Sequence, residues 1–163
     1  MSALKEVIIY TDGASRGNPG PGGYGVVLKH GRHRKELSGG FRKTTNNRME
    51  LMAVIAGLQA LKEKCHVTIF SDSKYVVESY TAGWAHGWRA KGWKKAKNPD
   101  LWKTLLEICE QHQVKFKWVK GHAGNPENER CDVLSVLAAE QENLPADVGY
   151  ERSGKTATNA MFD

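Results

Sequence analysis

Val7-Ile-Ile-Tyr-Thr11 runs straight into Asp12-Gly13, and further on Val67-Thr-Ile-Phe-Ser71 runs straight into Asp72. Each run is short and rich in β-branched and aromatic residues, as a buried strand is. Each stops at an aspartate. In open α/β sheets, functional groups collect in the crevice beyond the carboxyl ends of the strands. Two strands that end on acids therefore predict an α/β sheet with an acidic site at one end.

The flanking segments extend this picture. Gly13 to Gly23 is rich in Gly and Pro and reads as a loop or tight turn. Tyr24 to Lys29 and Arg34 to Phe41 flank His30-Gly31-Arg32-His33 and predict a hairpin. Thr45-Asn46 offers caps for a helix running to about Lys64, apolar nearly all round from Met49 to Leu61 and so buried. After Asp72, Ser73 to Tyr80 reads as a helix. Asn98-Pro99-Asp100 opens another, through His112. Val114 to Val119 alternates and reads as a strand, and Gly121 to Gly124 as a loop. Asn125-Pro126 supplies an N-cap and first-turn proline for a helix to about Gln141. The order implies a mixed sheet, first an antiparallel meander and then parallel strands joined by crossover helices. Residues 1–142 form one domain in this reading. The polar tail, 143–163, is expected to be at least partly disordered.

A chain of 163 residues suits one domain and a single core. With 40% hydrophobic and 26% charged residues it is an ordinary globular chain, not a disordered one. No stretch approaches the about 20 consecutive apolar residues of a membrane span. A cytoplasmic monomer with no membrane partner is expected. Cys65, Cys109 and Cys131 lack metal-ligand spacing and read as reduced, buried thiols. The net charge of +6 favours a polyanion partner without identifying one. Its distribution says more. From Trp84 to Lys103 six basic residues (Arg89, Lys91, Lys94, Lys95, Lys97, Lys103) face one acid, Asp100, and are interleaved with Trp84, Trp88 and Trp93. Such a segment can pack a small subdomain and still project cations to phosphates.

Four carboxylates are the candidates for chemistry. Asp12 and Asp72 at strand ends could face one crevice and hold magnesium through hard oxygen ligands. Each taken alone also suits a turn or a helix cap. Glu50 shares a helical stripe with Val54, Gly57 and Leu61, where a carboxylate is costly unless paired or metal-bound. It also lies in the first turn, where an acid suits the helix dipole. Asp132 sits on the last predicted helix near Glu127 and Glu129, so a solvated acidic face is its plain reading. His122, in a Gly-flanked loop, is either a surface residue or a proton carrier near neutral pH. Asn46-Asn47 can cap a helix or contact base edges and sugar hydroxyls.

Together these motifs resemble the ribonuclease H family of the bacterial type 1 kind. The matching stretches are Tyr10-Thr-Asp-Gly13, Gly17-Asn-Pro-Gly-Pro-Gly-Gly-Tyr-Gly25, Thr44-Thr-Asn-Asn-Arg-Met-Glu-Leu51, Ser71-Asp-Ser73, Trp118-Val-Lys-Gly-His-Ala-Gly124 and Asn125-Pro-Glu-Asn-Glu-Arg-Cys-Asp132. The resemblance implies a five-stranded mixed sheet flanked by helices, with the basic Trp-rich segment as a handle. It implies cleavage of the RNA strand of RNA/DNA hybrids by two magnesium ions, with manganese able to substitute, leaving 5′-phosphate and 3′-hydroxyl ends. By the same resemblance Asp12, Glu50, Asp72 and Asp132 bind the metals, Asp12 bridging both, and His122 assists proton transfer or product release. Asn18, Asn46 and Asn47 match residues lining the hybrid's minor groove. Lys43 and Thr45 fall where a DNA phosphate is gripped. Trp84, Arg89, Lys91, Lys94 and Lys95 fall in the handle.

Some positions depart from the family pattern. Lys74 stands where Gln is frequent, Gly87 where Asn is common, Ala14-Ser15 where Ser-Cys or a similar pair occurs, and Ser135-Val136 where Ala-Arg is frequent. The handle is a few residues shorter. These changes imply altered affinity, salt dependence or sequence preference with the chemistry retained. A DNA-cutting nuclease of the same fold and a non-catalytic hybrid-binding module are the rival readings. A structural basic protein is a further one, and it requires no magnesium dependence.

Overall fold

The computed structural model describes residues 3–153. The chain opens with three long strands, β1 (Lys5–Ser15), β2 (Gly20–His30) and β3 (His33–Thr44), joined as an antiparallel meander. Helix α1 (Asn46–Gln59) leads to β4 (Cys65–Ser71), which lies parallel to β1. Helices α2 (Lys74–Thr81), α3 (Trp84–Ala90) and α4 (Pro99–Cys109) precede β5 (Gln113–Trp118), parallel to β4. Helix α5 (Pro126–Ala139) follows. The strand order is β3-β2-β1-β4-β5, a mixed five-stranded sheet of the predicted kind.

Period-two alternation divides the sheet into two faces. Val7, Ile9, Val26, Val67, Ile69 and Phe116 point to one side and are buried. There they meet Leu51, Val54 and Leu58 of α1 and Leu105 and Trp102 of α4. On the other side α5 crosses β2 and β1. A Cβ on Gly25 would lie 2.3 Å from the Cys131 carbonyl oxygen, so this glycine is what lets α5 approach so closely.

Two expectations need correction, and the start of the tail can be described. The Gly-rich stretch 13–23 is not all loop, because β1 continues to Ser15 and β2 begins at Gly20. Glycine weakens strands through entropy and missing side chains, but here the ladder from Gly13↔Tyr24 to Ser15↔Gly22 holds the backbone. Helix α1 stops at Gln59, short of Lys64. The tail is docked over part of its length. Arg42 N–H donates to the Pro145 carbonyl at 2.9 Å, Arg42 pairs with Glu151, and residues 148–153 form a helical segment, α6. The anchor is Asp147, buried against Arg48, as described below. The segment is polar and aperiodic, so its burial through ion pairs leaves no hydrophobic pattern to read. The rest of the tail expectation, 154–163, lies outside the described residues.

Candidate active site

Asp12 stands in β1 opposite Gly25, its Oδ1 accepting a hydrogen bond from Gly13 N–H at 2.9 Å. The first turn of α1 closes on it from the opposite side of the sheet. That approach depends on Gly13, whose added Cβ would lie 2.4 Å from the Met49 carbonyl carbon and 2.6 Å from Glu50 N. Glu50 is thereby delivered to the strand end, 7% exposed, with Oε1 buried and without a hydrogen-bond partner. Asp72 follows β4 directly. Its backbone carbonyl accepts from Trp118 Nε1–H at 3.0 Å, which ties the ends of β4 and β5 together. Ser73 caps α2 immediately after it.

One carboxylate oxygen from each of Asp12, Glu50 and Asp72 lies within 4.8 Å of the other two. Burial, and then the charge of Asp72, push the Asp12 carboxyl up to about 7. Burial, and then Asp12 and Asp72, hold Glu50 well above the usual carboxylate range. No basic side chain forms an ion pair with these three among the described residues. Three acids forced together, one with an orphaned buried oxygen, suit a divalent cation with hard oxygen preference. Asp132, half-buried on α5, lies outside this cluster but near enough for its charge to raise Asp12. His122 is exposed in the loop before α5, with φ of 55°. Gly121 beside it packs on Asp72, where a Cβ would meet Oδ2 at 2.7 Å.

Of the predicted substrate residues, Asn18, Lys43, Thr45, Asn46 and Asn47 gather around the start of α1. Asn18 Oδ1 accepts from Asn46 N–H at 3.1 Å. Asn46 Oδ1 accepts from Ser15 N–H at 2.7 Å and from Ser15 Oγ at 3.1 Å. The β1–β2 turn is thus laced to the helix start. Thr45 caps α1 through Arg48 N–H, and Lys43 and Asn47 are exposed. Asn18, Thr45 and Asn47 line a cavity of about 610 Å³ whose other wall is Lys97, Asn98 and Tyr150. Lys74 sits over the Trp118 ring, 5.2 Å from its centroid.

The handle is built on tryptophans. Trp88 and Tyr75 meet buried Trp102 edge-on, each with ring centroids 5.8 Å apart, and Trp93 packs at the edge of the same core. Trp84 remains 52% exposed. Arg89 is held by Glu110, whereas Lys91, Lys94 and Lys95 are exposed and form no ion pair among the described residues.

Sequence reasoning does not single out Arg48, Asp100 and Asp147 as a group. Arg48 donates bidentately to Asp100 (2.9 and 2.7 Å) and to Asp147 (2.8 and 3.0 Å), and Thr44 Oγ1 donates to Asp147 at 2.7 Å. This buried hub joins the start of α1, the base of the handle and the tail. Its trace in the sequence is slight: an arginine close behind a predicted helix cap.

The family described as RNase H matches residues 4–140. The chain belongs to the ribonuclease H family. It is 65% identical over 150 residues to the ribonuclease H of Desulforamulus reducens, covering 89% of this chain and 94% of that protein. Among solved structures it resembles LC9-RNase H1, a type 1 RNase H with the type 2 active-site motif, at 33% identity and TM-score 0.78, over 93% of this chain and 82% of that one. It also resembles LC11-RNase H1 in complex with RNA/DNA hybrid, at 27% identity and TM-score 0.61, over 82% and 96%. Membership in the ribonuclease H family makes the chain an endoribonuclease. Among the described residues no helix of this ribonuclease H is long and apolar enough to cross a membrane.

Proposed function

We propose that this endoribonuclease hydrolyses the RNA strand of RNA/DNA hybrids as a cytoplasmic monomer, in a magnesium-dependent reaction leaving 5′-phosphate and 3′-hydroxyl ends. The observation that carries the reading is the Asp12, Glu50 and Asp72 cluster, with no ion-pair partner among the described residues. The LC11-RNase H1 complex with RNA/DNA hybrid supports the substrate class.

Asp12, Glu50 and Asp72 would hold one magnesium, and Asp12 with Asp132 a second; manganese offers the same hard-ligand preference. Bound there, the cations supply Lewis acidity and charge neutralisation toward the phosphodiester. The chain's own part is positioning. Gly13 lets α1 bring Glu50 to the strand end, and the tied strand ends fix Asp72. His122, on the exposed loop whose Gly121 packs on Asp72, passes a proton between solvent and the departing 3′-oxygen. Asn18, Asn46 and Asn47 face the minor groove, where 2′-hydroxyls distinguish RNA from DNA. Lys43, Thr45 and Lys74 take backbone phosphates. Trp84, Arg89, Lys91, Lys94 and Lys95 bring the handle against the DNA strand, Arg89 by exchanging Glu110 for phosphate.

The test is cleavage of end-labelled RNA/DNA, RNA/RNA and DNA/DNA duplexes with magnesium, manganese or chelator. Only the hybrid is expected to be cut, in its RNA strand, and only with metal. Asp12→Asn should lose at least about a thousandfold in rate, on the order expected when a metal site is disabled, and keep hybrid binding. Full cleavage by Asp12→Asn, or equal cutting of the DNA duplex, would overturn the assignment.

A further inference from the structure

Helix α5 packs across β2, β1 and β3 and makes little contact with β4 and β5, whose outer face it leaves open. The inward alternates of β1, β4 and β5 are the buried core residues, so Ile8, Tyr10, Thr68, Phe70, Lys115 and Lys117 point outward. Register sets them in two rows across the strands, Ile8–Thr68–Lys115 and Tyr10–Phe70–Lys117. Tyr10 and Phe70 stack with centroids 5.1 Å apart and planes 15° apart. Lys117 Nζ lies 6.0 Å from the Phe70 ring centroid, and Ile8 is 38% exposed. Each row ends in an exposed lysine that forms no ion pair among the described residues. At the far end Glu6, His66 and Gln113 border a concavity of about 420 Å³. At the near end Asp12 and Asp72 follow two residues after Tyr10 and Phe70 on the same strands.

We propose that this outer β1–β4–β5 face is a docking strip for single-stranded RNA that continues from the strand held at the carboxylates. The inference rests on the functional reading above, because that reading assigns the carboxylates to an RNA strand. Aromatic rings lying flush with a sheet reach only bases that are unpaired and splayed out; in a duplex the base faces are closed off by stacking. Every base offers a π-face to such rings whatever its identity, and flanking lysines take the phosphates between successive bases. The charge of the strip matches a polyanion, with Lys115 and Lys117 at one edge and the acid Glu6 at the end away from the site. The strip begins where the proposed scissile strand sits, so its occupant is the unpaired extension of that strand.

The experiment uses the full chain in chelator, so that nothing is cut, and measures affinity by fluorescence anisotropy. The probes are a blunt RNA/DNA hybrid, the same hybrid with a single-stranded RNA extension at either RNA end, and one with DNA extensions instead. One RNA-extended hybrid should bind about tenfold more tightly than the blunt one, the scale of one stacked base plus neutralised phosphates. K115Q/K117Q should erase that gain and lower the salt slope for the extended hybrid by about 1.4, at about 0.7 for each single-strand phosphate that no longer meets a lysine. The same variant should cut the blunt hybrid in magnesium within about twofold of the parent rate, which also reports that it folds. No gain from an extension, or a gain that survives K115Q/K117Q, overturns the strip. An equal gain from DNA extensions overturns its assignment to RNA. Failure of the parent protein to bind or cut the blunt hybrid would instead strike the functional reading, and is seen separately.

Discussion

Asp12 is held in a state that an isolated aspartate would not choose. Its carboxyl titrates at about 7 because it is buried and faces Asp72, against 3.8 for the ordinary group. A raised acid pKa means that the folded chain binds a proton which the unfolded chain has released, between those two values. Without metal, therefore, stability falls as pH rises from about 4 to 7, and Glu50 works in the same direction. We predict that in chelator the melting temperature declines across this window and that Asp12→Asn flattens the decline. The substitution should stabilise the metal-free fold at pH 8 by roughly 1–3 kcal/mol, a fraction of what one buried, repelled charge is worth. Thermal melts at pH 5 and 8 check this, and equal declines in both proteins would contradict it. The same reasoning predicts that magnesium raises the melting temperature more at pH 8 than at pH 5, since protons and metal compete for the same oxygens.

At the scale of elements, the site depends on how closely α1 meets β1. Gly13→Ala puts a carbon 2.4 Å from the Met49 carbonyl carbon, a backbone atom that cannot rotate away. The helix start must shift, so a loss of about 1–3 kcal/mol in urea denaturation is expected, together with weakened metal response as Glu50 moves off. Asp147→Ala tests the other tie on α1. It leaves Arg48 buried with Asp100 alone and Thr44 without its acceptor, which should cost about 3 kcal/mol. An unchanged urea midpoint would mean that the Arg48–Asp147 tie contributes nothing. These two ties differ in how legible they are in the sequence. The β-branched runs ending at Asp12 and Asp72 announce both strands and the crevice, because hydrophobic period and strand ends are local facts. The strand segments within Gly13 to Gly23 are hidden, since Gly23, like Gly25 beyond it, admits α5, a partner more than a hundred residues away. Asp147 is hidden for a similar reason: a lone acid in a polar tail carries no period, and its burial follows from Arg48 reaching it.

For the whole molecule, the net charge of +6 is divided between structure and recognition. Arg34, Arg42, Arg48, Arg89 and Arg130 are all paired with carboxylates. Lys91, Lys94 and Lys95 have no such partner among the described residues, and Trp88 and Trp93 hold that segment against the core. Arginines therefore serve mainly to fasten the fold, and the handle lysines are among the cations without a carboxylate partner in the described residues. Neutralising Lys91, Lys94 and Lys95 together to Gln should act on encounter and affinity and not on chemistry. Each duplex phosphate deprived of its lysine lowers the slope of log affinity against log salt by about 0.9, so the triple variant should lose up to about 2.7. KM for the hybrid should rise steeply, most of all at low salt, while kcat at saturation stays within about twofold, because the carboxylate cluster lies on β1, α1 and the end of β4 and not in the handle. Titrations at several salt concentrations, paired with saturation kinetics, measure both quantities. A fall in kcat with an unchanged salt slope would place these lysines in the chemistry and leave the handle without its electrostatic role.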